Sequence, residues 1–455
     1  MRKQILVLFL LCVVCRGGAV GKQSDEGLEA KVDAYVQPFV EGNNFSGTIL
    51  IAKGGTILVD KGYGLANYEL LVRNTPRTRF HIASVSKSFT AVAILMLQER
   101  GLLNVADPLS KFIPEYPGGH KITIHHLLTH TSGIPNVNNL PGYQEKSLSR
   151  MNLADVIKMF EDKPPEFEPG ARFQYSNSNY NLLAYIIEKV SGKSYGEFVD
   201  ANIFRPLGMR DTGNDSGSGE LIADRASGYV PVGIRDVENA PSLNWSIKTG
   251  NGSLYSTVDD LYKWDRALYT DKLLSSSSRQ KMFTDYGGFG YGWFIRKHSG
   301  RRGTAINGRS PGFTSSLERF VDDDVCVILA ANTYSGITQS MADDLAALVF
   351  SEKYEPLSPP VRLDPTVLDS YTGEYRFGED FVYNPGSIVH VERKANALFM
   401  LTGGGDTYLI PQPGDKFIDR LFGGTVTFAH APQGNVNQLT WSFGTPYVAR
   451  KRKQP

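Results

Sequence analysis

A serine and a lysine stand three residues apart at the start of an apolar stretch, where they could act as a nucleophile and its base. Ser84 and Lys87 lead into the apolar residues 89–97, and the stretch ends at Gly101. Good helix formers with almost nothing polar among them predict a helix buried in a large core. At the start of such a helix, unpaired N–H groups favour developing negative charge.

Burial would turn this lysine into a base. Desolvation lowers the pKa of a lysine, and a lysine that has lost its proton can accept one from a neighbouring hydroxyl. The pair therefore predicts nucleophilic catalysis by Ser84 with Lys87 as proton acceptor. The alternative is a helix-capping serine beside a lysine whose stem packs along the helix, and the Ser-x-x-Lys spacing alone does not separate the two interpretations.

A tyrosine and an asparagine two residues apart precede a second apolar helix. Tyr175 and Asn177 stand before the run 181–191, which Gly192 closes. From a loop before a buried helix, both side chains could point into one cleft. Tyr175 could relay a proton if a nearby ammonium lowers its pKa, and Asn177 could orient a substrate carbonyl or the lysine. The alternative is an aromatic packing residue and a helix cap.

Two histidines at positions i and i+4 have the spacing of a zinc-binding pair. His126 and His130 follow Thr123, which can cap a short helix. A metalloprotease would need glutamate directly after the first histidine, and this chain has Leu127 there. The sequence therefore favours histidines that form local hydrogen bonds and fix a loop, and we expect neither a metal nor a cofactor.

Length and charge narrow the function classes. A chain of 455 residues suggests two domains. Its 48 basic and 47 acidic residues give a net charge of +1, so nucleic acid and acidic membrane surfaces are not expected partners. We expect a small-molecule or peptide substrate, and the sequence leaves the oligomeric state open.

The N-terminus has the pattern of a secretory signal. A basic start, the apolar run 5–14 and small residues predict cleavage after Gly21. The run is too short to span a bilayer, and bulky Val14 before Cys15 argues against lipoprotein anchoring. We therefore expect a secreted protein, periplasmic or extracellular, with no transmembrane segment in the mature chain. Only Cys326 remains after cleavage, so no intramolecular disulfide forms.

The remaining patterns predict a mixed domain and a small all-β domain. An amphipathic helix at 28–39 is followed by a hairpin at 47–61, and 314–321 with 325–332 reads as an antiparallel pair. Alternating runs follow a Pro-rich stretch near the C-terminus. The predicted units are a signal peptide at 1–21, a main domain at 22–353, a Pro-rich linker at 354–365 and an all-β domain at 366–455.

From about Phe45 to Asn332 the sequence resembles the serine β-lactamase-related family, which includes class C β-lactamases, D-alanyl-D-alanine carboxypeptidases, D-aminopeptidases and related esterases. The C-terminal part resembles the β-barrel domain often appended to such enzymes. The matching segments, in the family's order, are Phe-His-Ile-Ala-Ser-Val-Ser-Lys at 80–87, Leu-Leu-Thr-His-Thr-Ser-Gly at 127–133, Pro-Gly at 169–170, Tyr-Ser-Asn at 175–177 with Tyr180, Pro-Leu-Gly-Met at 206–209, Leu-Tyr-Ser-Thr at 254–257 and Pro-Gly-Phe at 311–313.

The resemblance implies an α/β (α+β) fold of the β-lactamase/transpeptidase type. An antiparallel sheet would be flanked by helices and carry a helical lobe, and a small all-β barrel-like domain would follow. By the same resemblance, Ser84 is the acylated nucleophile, Lys87 its proton acceptor, and Tyr175 and Asn177 form the second motif. An oxyanion would lie between the backbone N–H groups of Ser84 and Arg309.

The third motif departs from the family pattern of lysine or histidine, a small or polar residue, and glycine. Ile306 stands at the first position, followed by Asn307 and Gly308. We assign Asn307, Gly308 and Arg309 to substrate binding together with Asn177. The missing cation favours an uncharged ester or amide as substrate. The other cations that could supply the charge are Lys248 of a literal Lys-Thr-Gly, Arg309, Arg302 and His298.

The sequence thus predicts a secreted serine hydrolase that works through an acyl-enzyme. Its substrate would be a D-amino-acid peptide, a β-lactam-like amide or a short ester. A competing interpretation is a catalytically impaired penicillin-binding-like protein that binds or senses peptidoglycan fragments, with Ile306 as the cause. A further alternative places a ligand or partner site in the C-terminal β domain.

Overall fold

The computed structural model describes residues 26–298, 300–354, 361–381, 386–402, 405–443 and 445–452. The predicted signal peptide lies outside the described residues, and so do residues 355–360 of the predicted linker. Within the described part of the chain, no helix is both long and apolar enough to cross a bilayer.

The helices of the main domain lie on both faces of a central sheet and in a lobe within residues 82–253, and the last helix packs against the C-terminal barrel. They are α1 Glu26–Glu41, α2 Ser86–Glu99, α3 Ile124–Leu128, α4 Tyr143–Lys146, α5 Leu153–Ile157, α6 Asn177–Ser191, α7 Tyr195–Val199, α8 Arg205–Leu207, α9 Val258–Ala267, α10 Ser276–Met282, α11 Ile337–Phe350 and α12 Pro365–Tyr371. Short 3₁₀ turns at Ala83–Val85 and Trp245–Lys248 also matter for the site.

The strands form a central sheet, three small sheets and a barrel. They are β1 Gly47–Lys53, β2 Thr56–Tyr63, β3 Leu65–Asn67, β4 Val72–Arg73, β5 Phe80–His81, β6 Gly213–Asn214, β7 Tyr229–Val232, β8 Asp236–Asn239, β9 Leu254–Ser256, β10 Phe294–His298, β11 Arg301–Ser310, β12 Phe313–Phe320, β13 Val325–Ala331, β14 Gly373–Phe377, β15 Ile388–Lys394, β16 Ala397–Thr402, β17 Gly405–Pro411, β18 Lys416–Asp419, β19 Thr425–His430, β20 Val436–Ser442 and β21 Pro446–Lys451.

The central sheet has six strands in the order β10-β11-β12-β13-β1-β2, and its pairs are antiparallel. Both of its faces are buried, as β1 illustrates. Leu50 and Ala52 face a core shared with α2 and the helical lobe, whereas Ile49 and Ile51 face a second core under α1 and α11. Alternate residues of a strand point to opposite faces, so one strand serves both cores.

Helix α2 runs through the larger core. Every residue from Ser86 to Leu97 is buried. Such a helix holds its first turn rigidly, because packing surrounds it on all sides. The predicted buried helix is confirmed, and it closes near Gly101, whose φ is +69°.

Strands β14 to β21 form a closed eight-stranded barrel. Its interior is filled by apolar side chains, among them Phe417, Phe428 and Trp441. The barrel docks on the main domain through Arg420, which is buried. The guanidinium of Arg420 donates to Asn44 Oδ1 at 2.8 Å and to the backbone oxygen of Asp236 at 2.9 Å.

The predicted fold class is confirmed: an antiparallel sheet flanked by helices, followed by a β-barrel. The predicted helix at 28–39, the hairpin and the strand pair appear as α1, β1–β2 and β12–β13. The predicted boundaries at 22–353, 354–365 and 366–455 stay predictions.

Candidate active site

Ser84 and Lys87 lie at the junction of a 3₁₀ turn and the buried helix. Ser84 is in the turn Ala83–Val85, and Lys87 is the second residue of α2. Lys87 is 0% exposed, whereas Ser84 is partly exposed. The Nζ of Lys87 lies 2.9 Å from Ser84 Oγ. The spacing of three residues therefore brings the two groups into hydrogen-bond contact, as predicted.

Two further acceptors surround the lysine. Its Nζ lies 2.8 Å from Asn177 Oδ1 and 2.8 Å from the backbone oxygen of Asn251. The sequence analysis did not find the backbone carbonyl of Asn251, because every residue type has a backbone carbonyl and the sequence therefore does not mark it. The glycines on either side of it, Gly250 and Gly252, were the available signal for a backbone that approaches another element closely.

Burial lowers the pKa of Lys87 well below its ordinary value, and the charge of Lys248 lowers it further. The predicted desolvation of the lysine is thus confirmed. Lys248 is itself only 5% exposed, and burial lowers its pKa to about 8. Its Nζ lies 5.3 Å from the ring centre of Tyr143. The literal Lys-Thr-Gly thus places its lysine near Lys87, at the end of the 3₁₀ turn Trp245–Lys248 of the lobe.

Tyr175 contacts Ser84 although the two residues are 91 positions apart in the chain. Its hydroxyl donates to Ser84 Oγ at 2.8 Å, and the Nζ of Lys87 lies 4.9 Å from its ring centre. Burial raises the pKa of Tyr175. The lowering of this pKa by a nearby ammonium, which was the condition for a proton relay by Tyr175, is not found, because desolvation outweighs the hydrogen bond with Ser84. Tyr175 is a neutral phenol at neutral pH.

Asn177 is the first residue of α6, whereas the sequence analysis placed it in the loop before that helix. Its backbone N–H and its Nδ2 donate to Asn136 Oδ1 at 3.1 and 3.3 Å. The amide is therefore fixed with its oxygen toward Lys87.

His130 packs behind the tyrosine. The two ring centres are 4.4 Å apart, and His130 Nδ1 accepts a hydrogen bond from the backbone N–H of Ser176 at 3.2 Å. Burial and the charge of Lys87 hold the pKa of His130 well below its ordinary value. A neutral histidine thus supports the loop that carries Tyr175.

The two histidines of the zinc-like spacing serve different elements. Helix α3 ends at Leu128, so His130 is not on its face. His126 belongs to a capping box with Thr123, in which its Nδ1 accepts from the Thr123 backbone N–H at 3.3 Å. Across the described ranges, no cluster of three or more His, Cys, Asp or Glu side chains could hold a metal ion.

Strand β11 passes directly against the serine. A Cβ at Gly308 would lie 2.3 Å from the oxygen of Ile82 and 2.9 Å from the backbone nitrogen of Ser84, so glycine is required for this approach. Ser315, opposite Gly308 on β12, donates its hydroxyl to the same Ile82 oxygen at 2.7 Å. Ile306 is 0% exposed in the core, and Asn307 is exposed.

The register of the hairpin fixes which way Arg309 presents its backbone. Ser310 pairs with Phe313 across a two-residue turn, and in such a hairpin the residues that flank the turn are the hydrogen-bonded pair. Bonded and non-bonded pairs alternate, so Arg309 opposite Thr314 is a non-bonded pair. Its N–H therefore lies on the edge that β10 leaves open beyond Ala305.

Three of the four cations that could replace the missing one, Arg309, Arg302 and His298, have their side chains engaged in other contacts. Arg309 donates to the backbone oxygen of Leu421 in the barrel at 3.0 Å. Arg302 pairs with Asp322 at 3.1 Å, and His298 lies 3.4 Å from Asp343. Their suggested charge at the site is not supported by these contacts. The Ser84 cluster instead has two buried lysines, Lys87 and Lys248.

Comparison with known proteins agrees with this geometry. The sequence profile of the family described as Beta-lactamase matches residues 32–352. Penicillin-binding protein 4* of Bacillus subtilis is 29% identical over 450 residues, which cover 91% of this chain and 96% of that protein.

Two solved structures are similar in fold and sequence. A penicillin-binding protein from Bacillus halodurans has a TM-score of 0.63 at 32% identity, over 70% of this chain and 98% of that one. The octameric penicillin-binding protein homologue from Pyrococcus abyssi has a TM-score of 0.67 at 26% identity, over 94% of this chain and 100% of that one. The chain belongs to the beta-lactamase family, whose members are generally serine hydrolases.

Proposed function

We propose that this protein is a secreted serine hydrolase of the Ser-Lys-Tyr type that cleaves an amide or ester through an acyl-enzyme at Ser84. The observation that carries the proposal is the contact of Ser84 Oγ with two groups at once, Lys87 Nζ at 2.9 Å and the Tyr175 hydroxyl at 2.8 Å. A hydroxyl with an amine and a phenol in hydrogen-bond reach has both a proton acceptor and a proton donor.

The acceptors around Lys87 support its role as base. A neutral amine has two hydrogens and one lone pair. The oxygens of Asn177 and Asn251 can only accept, so they take the two hydrogens. The lone pair is then directed at Ser84. Burial supports the neutral form, because it lowers the pKa of Lys87.

The first step transfers the Ser84 proton to Lys87 as Oγ attacks the substrate carbonyl carbon. Tyr175, a phenol in its resting state, gives its proton to the departing amine or alkoxide and recovers one from the Lys87 ammonium, which returns to the neutral amine. Water then attacks the acyl carbonyl as Lys87 takes its proton, and that proton passes to Ser84 Oγ when the bond between Oγ and the acyl carbon breaks.

The oxyanion would sit between the N–H of Ser84 and that of Arg309. Gly308 lets strand β11 approach the serine backbone, and the hairpin register leaves the Arg309 N–H on an open edge. Asn307 is exposed beside this edge and would contact the rest of the substrate together with Asn177. Two backbone donors aimed at one point are the common device for stabilising a tetrahedral intermediate.

The proposed substrates are D-amino-acid peptides, β-lactam-like amides and short esters. Ile306, at 0% exposure, supplies no charge where the third motif of the family has a cation. We therefore expect short esters and neutral amides to react faster than acyl donors that need a carboxylate anchored at that position. The names of the relatives suggest that penicillin also acylates Ser84.

The test combines a covalent probe with turnover. Purified protein is treated with a fluorophosphonate and with penicillin, and intact-mass spectrometry with peptide mapping locates the adduct. We expect modification of Ser84 and hydrolysis of a nitrophenyl ester or a D-amino-acid amide. Ser84→Ala should abolish both, with a loss of at least about 10⁴-fold in kcat. Hydrolysis that persists in Ser84→Ala would refute the proposal.

A second candidate function is a catalytically impaired penicillin-binding-like protein that binds or senses peptidoglycan fragments without turnover. The buried Ile306 in place of a cation is the observation that favours it. In that case penicillin or a peptidoglycan fragment would leave a stable Ser84 adduct, or bind without one, and no ester or D-amide would be consumed after a first equivalent.

A further inference from the structure

The C-terminal barrel touches the strand that carries the third motif. Residues 419–423, which begin at the last residue of β18 and precede β19, are here named the docking turn, and they lie against β11 at Arg309. The guanidinium of Arg309 donates to the Leu421 oxygen at 3.0 Å and lies 4.9 Å from the ring centre of Phe422. On its other side it lies 4.1 Å from the ring centre of Tyr334. One side chain therefore links the barrel to the strand beside Ser84.

The docking turn is held in one shape by its own contacts. Buried Asp419 accepts hydrogen bonds from the Thr407 hydroxyl at 2.5 Å and from the N–H groups of Leu421 and Phe422 at 3.0 Å each. These bonds direct the Leu421 oxygen away from the barrel. That oxygen also accepts from the backbone N–H of Gly336 at 2.9 Å.

The backbones of the two domains approach each other closely at the docking turn. A Cβ at Gly336 would lie 1.6 Å from the Phe422 oxygen, and one at Gly423, whose φ is +75°, would lie 2.4 Å from the Gly336 carbonyl carbon. Arg420 adds its buried hydrogen bonds to the main domain next to this contact. The docking turn is thus held against the main domain by close backbone contact and by buried hydrogen bonds.

The end of strand β11 near Ser84 has one neighbouring strand. Strand β10 pairs with β11 only as far as Ala305, so from Ile306 to Ser310 the strand is bonded to β12 alone. A two-stranded end is intrinsically less firmly held than the middle of a sheet. The barrel contact falls on Arg309, within the part of β11 that β10 leaves uncovered.

We propose that the docking turn positions the third-motif strand through Arg309, so that the barrel is a structural part of the hydrolase site. Arg309 is a positioning residue: its side chain is held by the barrel while its backbone N–H faces the developing oxyanion. This inference rests on the proposed function. It also assigns the barrel a role other than a ligand chamber, in agreement with an interior filled by apolar side chains.

The test compares two arginines on the same strand. Arg309→Met keeps the backbone N–H and removes the link to Leu421, whereas Arg302→Met removes an exposed arginine of β11 that pairs with Asp322. We expect Arg309→Met to lower kcat for a nitrophenyl ester by roughly 10- to 100-fold, since a displacement near 1 Å has that cost. KM should stay within about twofold, because ground-state binding is not altered. Arg302→Met should match wild type.

Two more variants separate positioning from general stability. Arg309→Lys can still donate to Leu421 and should recover part of kcat. Phe422→Ala on the barrel should lower kcat in the same direction, and the double variant Arg309→Met, Phe422→Ala should be no worse than the stronger single, since both act through one contact. Thermal unfolding is measured for each, and the kcat loss should not track Tm.

The outcomes are decisive in both directions. If folded Arg309→Met keeps wild-type kcat, or if Arg302→Met loses as much, the positioning role is overturned. If Arg309→Met does not fold, Arg309→Lys and Phe422→Ala carry the same comparison. Ser84→Ala, run in parallel, distinguishes this failure from failure of the proposed hydrolase: loss of turnover in Ser84→Ala with none in the Arg309 variants overturns only the inference.

Discussion

The two sides of the candidate active site contribute different groups: side chains on one side and backbone on the other. On the helix side, Lys87 and Tyr175 each contact Ser84 Oγ within 3 Å, and Asn177 holds the lysine. On the strand side, Ile306 is buried in the core and the Arg309 side chain is turned to the barrel. Proton transfer is thus assigned to side chains, and the strand contributes backbone.

This difference indicates at which positions a change of residue type would leave the proposed acyl transfer intact. The helix side depends on residue types, because only an amine and a phenol supply the required hydrogens and lone pairs. The strand side depends on backbone position, because an N–H donor is present whatever the side chain, proline excepted. The absence of the third-motif cation is therefore compatible with the proposed acyl transfer, and we expect it to affect which substrate is accepted.

The largest expected effect breaks the helix side. Lys87→Gln removes the proton acceptor but keeps a polar side chain of similar length, so kcat for a nitrophenyl ester should fall by roughly 10³-fold. Lys281→Gln is the matched control, since Ser278 and Lys281 repeat the Ser-x-x-Lys spacing on α10 with an exposed lysine. Equal losses in the two variants, or no loss in Lys87→Gln, would contradict the assignment of the base.

An intermediate effect is expected from restoring the family's cation on the strand side. Ile306→Lys places an ammonium at a position that is 0% exposed. Because an unpaired buried charge is costly, we expect the free energy of unfolding to fall by about 3 kcal/mol. Chemical denaturation measures this, with Ile306→Val as control at a loss of about 1 kcal/mol.

The same variant sharpens the comparison of the two sides. Ile306→Lys should give no more than a small gain in acylation by penicillin. A stable Ile306→Lys protein that hydrolyses nitrocefin much faster than wild type would show that the strand side tolerates a charge, and that the present side chain alone sets the substrate preference.

The smallest expected effect concerns Lys248. Its charge lowers the pKa of Lys87, so Lys248→Met should raise that pKa. Since the base acts in its neutral form, the acidic limb of the kcat/KM profile should move to higher pH. At a pH on that limb the rate should fall by less than about tenfold. Lys248→Arg keeps the charge and should leave the limb in place; a shift toward lower pH in Lys248→Met would contradict the coupling.

Much of the helix side follows from local sequence. The spacing of Ser84 and Lys87 and the apolar run after them fix both a short distance and a low-dielectric setting. The approach of Tyr175 could be inferred from a motif, but its raised pKa could not, because the burial that causes it comes from residues such as His130 that lie 45 positions away in the chain.

The strand side was far less accessible to prediction. Gly308 and the hairpin could be predicted from the sequence. The contact of the Arg309 side chain could not, because its partner Leu421 lies 112 residues later in the chain. The Asn251 carbonyl was invisible for a related reason, since any residue type has one. Tertiary contacts of this kind are set by how domains dock, and a local pattern does not encode them.

The three hydrogen-bond partners of Lys87 Nζ have a further consequence for the proposed catalytic cycle. As an ammonium, the side chain has three hydrogens, and its three neighbours, Ser84 Oγ, Asn177 Oδ1 and the Asn251 oxygen, can each receive one. The same rotamer therefore suits the charged and the neutral form. In the proposed cycle the proton can arrive and depart twice without the lysine leaving its place, so both half-reactions can share one fixed arrangement of atoms.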